Sequence, residues 1–163
     1  EVAHVVLNEA GGGEQALLWD SGDGAWRGVQ SGYFEVYQLH VTSGTDTVHG
    51  VRVDGPDLHY FSAPLTGAVV SATLPLEIAW ERDDIAQAAT LKTREMDAIA
   101  ITDLGTYTLP AGTLRSSPDA TEEEELRITR SARITPAGAT GDSQLRVRIE
   151  NRIDLVVMAT GAP

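Results

Sequence analysis

The sequence predicts an all-β protein: a two-sheet β-sandwich over residues 63–163, preceded by a small packed N-terminal antiparallel β unit over residues 1–62, the two also readable as one continuous domain. Three observations predict it. Short extended runs are cut throughout by Gly, Asp and Pro clusters, the punctuation of turns between strands. From Leu145 to Val157 apolar and charged residues alternate with period 2, as in a long strand with one face buried. Trp80 closes one strand, and an Asp103-Leu-Gly105-Thr-Tyr107 run follows, the kind of Trp and Tyr-corner pairing that organises sandwich cores.

The elements follow in order. Val2–Leu7 is apolar and β-branched and ends at Gly11-Gly12-Gly13. Gln15–Trp19 and a short run at Ala25–Arg27 flank the turn Asp20-Ser-Gly22-Asp-Gly24. Tyr33–Val41 is the strongest strand of this part, with Phe34 and Val36 alternating against Glu35 and Tyr37. Ser43-Gly44-Thr-Asp46 turns it into Thr47–Val53, and Asp54-Gly55-Pro56 turns again into Leu58–Phe61. Ser62–Gly67 reads as a boundary, after which come Val69–Thr73 and Leu76–Trp80. Residues 83–99 carry two signals: a capping box at Asp84 and Gln87 with helical spacing of Ile85, Ala88, Met96 and Ile99, or strands near Ala88–Thr93 and Asp97–Thr102. Leu126, Ile128, Ala132 and Ile134 supply a partner strand for the final one. Arg130 falls on their apolar parity, so it marks a bulge, a strand end or a buried ion pair. On the last strand Arg146, Arg148, Glu150, Arg152 and Asp154 form an outward face, predicted to pair with Arg127 and Arg133 across the sheet. Acids alternate there with arginines, so the potential largely cancels and no anion site is expected.

The pattern Pro64, Gly67, Trp80, Asp103, Gly105, Tyr107, Thr108 and Pro110 resembles the immunoglobulin-like β-sandwich domains of bacterial and fungal cell-surface proteins, over residues 63–160. The resemblance implies an immunoglobulin-like fold and carbohydrate-rich surroundings. It implies no functional residue, because every matched position is structural.

Composition narrows the function. A chain of 163 residues is long enough to bury a core without staples. It contains no cysteine, which excludes disulfides, thiolate metal sites and a Cys nucleophile. The net charge of −12, from 24 acids and 12 bases, repels phosphate backbones, so no nucleic-acid partner is expected. No run approaches 18 apolar residues, so no membrane span is expected. The start at Glu1 reads as a mature or trimmed form, and with it an extracytoplasmic location: secreted, periplasmic or cell-surface. Residues 1–62 hold nine acids against Arg27 and Arg52, the more anionic part of the chain.

The candidate sites are few. Gly22-Asp-Gly24-Ala-Trp-Arg-Gly28 misses the dinucleotide loop, because a strand and no helix follows. Asp20, Asp23 and Glu14 offer oxygens to Ca²⁺ but lack the alternating Asp/Asn spacing of a calcium loop. Asp119 and Glu122–Glu125 read as a solvated anionic run. Of the four histidines, His40 and His59 with Asp57 form a two-His-one-carboxylate set only if sheet register allows; the metal remains unassigned. No Gly-x-Ser-x-Gly elbow or local Ser/His/Asp set is present, and no catalytic role is expected. The ligand-binding expectation rests on aromatic rings: Trp26 and Tyr33, beside Asp23, with Trp19 and Tyr37 filling a small core. Rings stack on sugar C–H faces while carboxylates take hydroxyls. The sequence therefore reads as a non-catalytic exported structural or adhesive module that meets a protein partner or a cell-surface polymer. The alternative is a carbohydrate-binding module using the same N-terminal aromatics. No cofactor is expected beyond Ca²⁺ at the acidic turn.

Overall fold

In the computed structural model, which describes residues 4–9, 14–29, 32–137 and 143–161, every regular element is a strand. The chain divides into two units, residues 1–56 with 132–147, and residues 57–131 with 148–163. This division falls after Pro56, ahead of the expected boundary at Ser62–Gly67, because the strand that begins at His59 pairs within the second unit. Residues 132–147 join the first unit because Ala132, Leu145 and Val147 pack into its apolar cluster.

The first unit contains six strands among the described residues: β1 (His4–Glu9), β2 (Glu14–Ala16), β3 (Leu18–Asp20), β4 (Ala25–Arg27), β5 (Val36–Ser43) and β6 (Asp46–Asp54). β2, β1, β5 and β6 form one antiparallel sheet in that order, and among the described residues β3 pairs with β4 alone. The Gly11–Gly13 turn and Val2 lie outside the described residues. The inward residues of β5 are Tyr37 and Leu39, joined by half-buried Val41. The sequence sets Phe34 and Val36 on one face and Glu35 and Tyr37 on the other, and the face of Tyr37 is the one that turns inward, in keeping with its expected place in a small core. The odd positions carry the larger continuous apolar set, so their burial outweighs Val36, while Phe34 reaches the same cluster from ahead of the strand, edge-on to Tyr37 at 6.3 Å.

The second unit contains β7 (His59–Ala63), β8 (Val69–Val70), β9 (Leu76–Arg82), β10 (Ala88–Lys92), β11 (Ile99–Ile101), β12 (Thr106–Leu109) and most of β13 (Glu122–Ile134) and β14 (Leu145–Val157). Residues 83–99 hold no helix: β10 pairs with both β11 and β13, and this backbone pairing outweighs the local capping signal. One sheet runs β11-β10-β13-β14-β8, the other β12-β9-β7. A single buried cluster draws on both, with Ile78 and Trp80 from β9, Leu109 from β12, Leu91 from β10, Leu126 and Ile128 from β13, and Leu155 and Val157 from β14. The period-2 reading of β14 holds: residues 145, 147, 153, 155 and 157 are buried, while 146, 148, 150, 152 and 154 are exposed. On that outer face Arg127 pairs with Glu125 and with Glu150 at 3.2 Å, and Arg152 with Glu125 at 3.5 Å.

Trp80 is 3% exposed, as its sequence context predicts. Its indole N–H donates to Asp103 Oδ1 at 2.9 Å. Arg130, 0% exposed, is the buried ion pair that its parity allowed, donating from Nε to Asp103 Oδ2 at 2.9 Å and from its two other nitrogens to the carbonyls of Asp57 and Asp84. Ala86 N–H donates to the Asp103 carboxylate at 2.7 Å, and Arg82 Nε lies 3.6 Å from its Oδ1. Burial alone would raise the Asp103 pKa, but the hydrogen bonds from Ala86, Trp80 and Arg130 and the Arg130 charge outweigh it and hold it below the ordinary carboxylate value. Two residues on, Gly105 has φ +84°, and an added Cβ there would sit 3.2 Å from the Trp80 carbonyl, so glycine is required at this corner.

Tyr107 does not pin the corner as expected. It lies on β12 opposite Ile78, its ring packs half-buried on the core, and among the described residues its hydroxyl makes no hydrogen bond. Asp103 organises this corner instead, because a carboxylate accepts several donors at once where a phenol donates one.

Polar contacts also stitch the two sheets of this unit. His59 on β7 donates from Nε2 to the Ile128 carbonyl on β13 at 3.1 Å, and Asn151 on β14 donates to the His59 carbonyl at 2.6 Å. His59 is 1% exposed, and burial pushes its pKa below the ordinary histidine value, with Arg130 adding to the effect. The Glu122–Glu125 run is not a solvated tail but the start of β13. Glu124 is fully buried and accepts backbone N–H groups from Arg94 at 2.7 Å, Arg115 at 3.0 Å and Glu125 at 2.9 Å.

Candidate functional site

The β3–β4 hairpin of the first unit carries the clearest candidate surface. Its register sets Leu18 opposite Arg27, Trp19 opposite Trp26 and Asp20 opposite Ala25. Asp20 shapes the turn: its Oδ1 accepts the Gly22 N–H at 2.9 Å and the Asp23 N–H at 3.4 Å, the Asx pattern that suits Asp at the head of a turn. Paired residues on adjacent strands project to one face, so the two indoles meet, with centroids 5.6 Å apart and planes at 59°.

The two rings take different roles. Trp26 is half-buried and packs on the first unit's apolar cluster with Leu17 and Phe34. Trp19 lies against it and is 55% exposed. Expectation placed Trp26 outward and Trp19 in the core. The hairpin reverses this, because Trp26 faces the cluster that Tyr37, Leu39 and Leu145 build, which only the fold reveals. Tyr37 is buried, as expected of a core residue. Tyr33 is half-buried and lines no part of the groove beside Trp19.

That groove is shallow and open, about 550 Å³, and is lined by Gln15, Leu18, Trp19, Asp20, Arg27 and Val29 among others. Leu18 is 76% exposed and Val29 94%. Its polar rim is ordered: Arg27 pairs with Asp23 across the turn and with Asp20 at 3.5 Å, and Gln15 donates to the Val29 carbonyl at 3.2 Å. Asp23, named with Trp26 and Tyr33 as a ligand contact, thus sits exposed at the turn with its carboxylate engaged by Arg27. The same contact bears on Ca²⁺: Arg27 occupies both turn carboxylates, and the Glu14 side chain lies outside the described residues.

The residues of the other expected constellation fall in different units. His59 and Asp57 belong to the second unit, where His59 bonds Ile128 and the Asp57 carbonyl accepts from Arg130, while His40 belongs to the first and meets His49. Among the described residues no group of three or more His, Cys, Asp or Glu side chains is placed to hold a metal ion, and no helix is long and apolar enough to cross a membrane.

No protein-family model matches this chain, and no curated protein matches it in sequence.

Proposed function

We propose that this chain is a non-catalytic surface-contact module acting outside the cytoplasm, with an immunoglobulin-like second unit as scaffold and the β3–β4 hairpin as its contact surface. The scaffold reading is supported by strand order. Taken as A, B, C, C′, E, F and G, strands β7, β9, β10, β11, β12, β13 and β14 give A-B-E in one sheet and C′-C-F-G in the other, the distribution of an immunoglobulin sandwich lacking strand D among the described residues. β8 adds a parallel edge strand beside β14. This support comes from topology: Trp80 sits on the second strand of that scheme, away from the usual Trp position on the third, and Tyr107 on E, away from F.

The observation that carries the contact surface is Trp19, half-exposed and packed against Trp26 beside two carboxylates and an arginine. A preordered aromatic ring binds with little loss of rotamer freedom, which makes it an efficient anchor. A carbohydrate polymer is the favoured partner class over a protein, because the groove is open and lined by one aromatic ring together with hydroxyl-binding groups, a combination that suits a sugar face. The buried acids of the second unit support the non-catalytic part of the reading, since Asp103 and Glu124 are fully engaged by structural donors. Screening against a polysaccharide panel and a protein extract, followed by Trp19→Ala, tests this. Binding should fall by about tenfold or more, as for a central aromatic anchor. Polysaccharide binding unchanged in Trp19→Ala, with the circular dichroism spectrum intact, would refute the assignment of the surface.

A further inference from the structure

Three of the four histidines, His4, His40 and His49, fall on β1, β5 and β6, which are neighbours in one sheet of the first unit. Two of them meet at an irregularity in the pairing. Leu39 pairs with Val51 and Val41 with Val48, so His40 alone stands against His49 and Gly50. This two-against-one bulge is made by Gly50 at φ +71°, a conformation that other residues rarely adopt. The bulge re-aims His49 toward its neighbour: the ring centroids are 5.4 Å apart and the two Nδ1 atoms 3.1 Å.

We propose that His40 and His49 form a two-nitrogen chelate for a divalent late first-row ion of the Ni²⁺, Cu²⁺ and Zn²⁺ class. Imidazole suits these ions, and metal–nitrogen bonds run to about 2.0–2.1 Å. Two nitrogens 3.1 Å apart at that bond length subtend about 100° at the ion, an angle found between adjacent ligands of such metals. Both rings stand on paired strands, so the backbone holds the two nitrogens at this separation. His49 is exposed and lines an open groove with Arg52 and Pro136, which gives an ion its entry and leaves the remaining coordination positions to water.

The metal-free pair has one shared proton to place. Among the described residues, His40 Nε2 is buried without a hydrogen-bond partner. An unpaired buried N–H is costlier than an unpaired lone pair, so the proton sits on His40 Nδ1 and donates to His49 Nδ1. A metal ion takes both Nδ1 lone pairs, and that proton leaves Nδ1 for Nε2 as the ion binds. His40 then coordinates without the outer acceptor that usually orients a metal-bound imidazole, a lack worth about 10–100-fold in affinity. The site is therefore one of moderate affinity, readily stripped by a chelator, and separate from the Trp19 hairpin.

Titration of the full chain with NiCl₂ at neutral pH, followed by isothermal calorimetry, tests the assignment. A single class of site is expected, reversed by a chelator. His49→Gln removes one ligand from an exposed ring and keeps the fold, and His40→Gln removes the other. Each should weaken Ni²⁺ binding by about tenfold or more, and the two together by no less. The proposal is overturned if the intact protein binds no Ni²⁺ at millimolar concentration. It is equally overturned if His49→Gln, folded by circular dichroism, binds as tightly as the parent.

Discussion

Replacing Arg130 with Met gives the sharpest test of how the second unit is held together. The change keeps an unbranched apolar stem of similar reach on a strand position that is 0% exposed. It deletes the hydrogen bond to Asp103 at 2.9 Å and the donors to the Asp57 and Asp84 carbonyls. Asp103 keeps the Trp80 and Ala86 donors and the Arg82 guanidinium at 3.6 Å, but loses its nearer and fully buried counter-ion in a site 3% exposed. Removing one partner of a buried pair costs about 3–5 kcal/mol. Urea is the right denaturant, because guanidinium would screen the charges under test. With a slope of about 2 kcal/mol/M the midpoint should fall by about 1.5–2.5 M. The penalty also carries a pH signature. Asp103 has a depressed pKa in the folded parent, so its ionisation stabilises the parent above the unfolded value of 3.8 and this contribution is lost as pH falls through the folded value. In the variant Asp103 escapes the penalty by protonating, so parent and variant should converge in stability at low pH. A loss under about 1 kcal/mol at neutral pH, or a loss independent of pH, would refute the claim that this pair organises the unit.

Two further outcomes follow from buried polar groups. Glu124→Gln presents an amide N–H₂ to at least one of the backbone donors of Arg94, Arg115 and Glu125, and should cost about 2–4 kcal/mol, lowering the thermal midpoint by about 5–15 °C in a chain of this size. A melting curve superimposable on the parent's would show that these amides find other acceptors. His59 is neutral in the fold with a depressed pKa, so its contribution is complete above the ordinary value of 6.5 and is lost as pH falls toward and through its folded value. Stability of the parent should decline over that interval, and His59→Gln should flatten the decline; the same slope in both proteins would place the titrating group elsewhere.

The β content, the outward charged face of β14 and the burial of Trp80 were legible in the sequence, because they depend on local alternation and on the size of one side chain. Gly, Asp and Pro located the main turns for the same reason: each acts through its own backbone preferences. Arg130 was legible as an anomaly, since a charge on apolar parity demands a partner, but its partner lay 27 residues away at Asp103.

What the tertiary structure alone decided is every choice between two equal local readings. Either parity of β5 would have been amphipathic, and the cluster formed with Leu145 and Val147 selected Tyr37 and Leu39. Residues 83–99 carried helix and strand signals together, and pairing of β10 with β11 and β13 selected strand. Glu124 was indistinguishable from its three acidic neighbours until the N–H groups of Arg94 and Arg115 converged on it. Trp19 and Trp26 flank one turn, and which ring met solvent depended on a cluster assembled from distant strands. The pairing of His40 with His49 depended on a single extra residue in β6. In each case the deciding energy is burial or hydrogen bonding with residues far along the chain, and such energies exist only once the chain is folded.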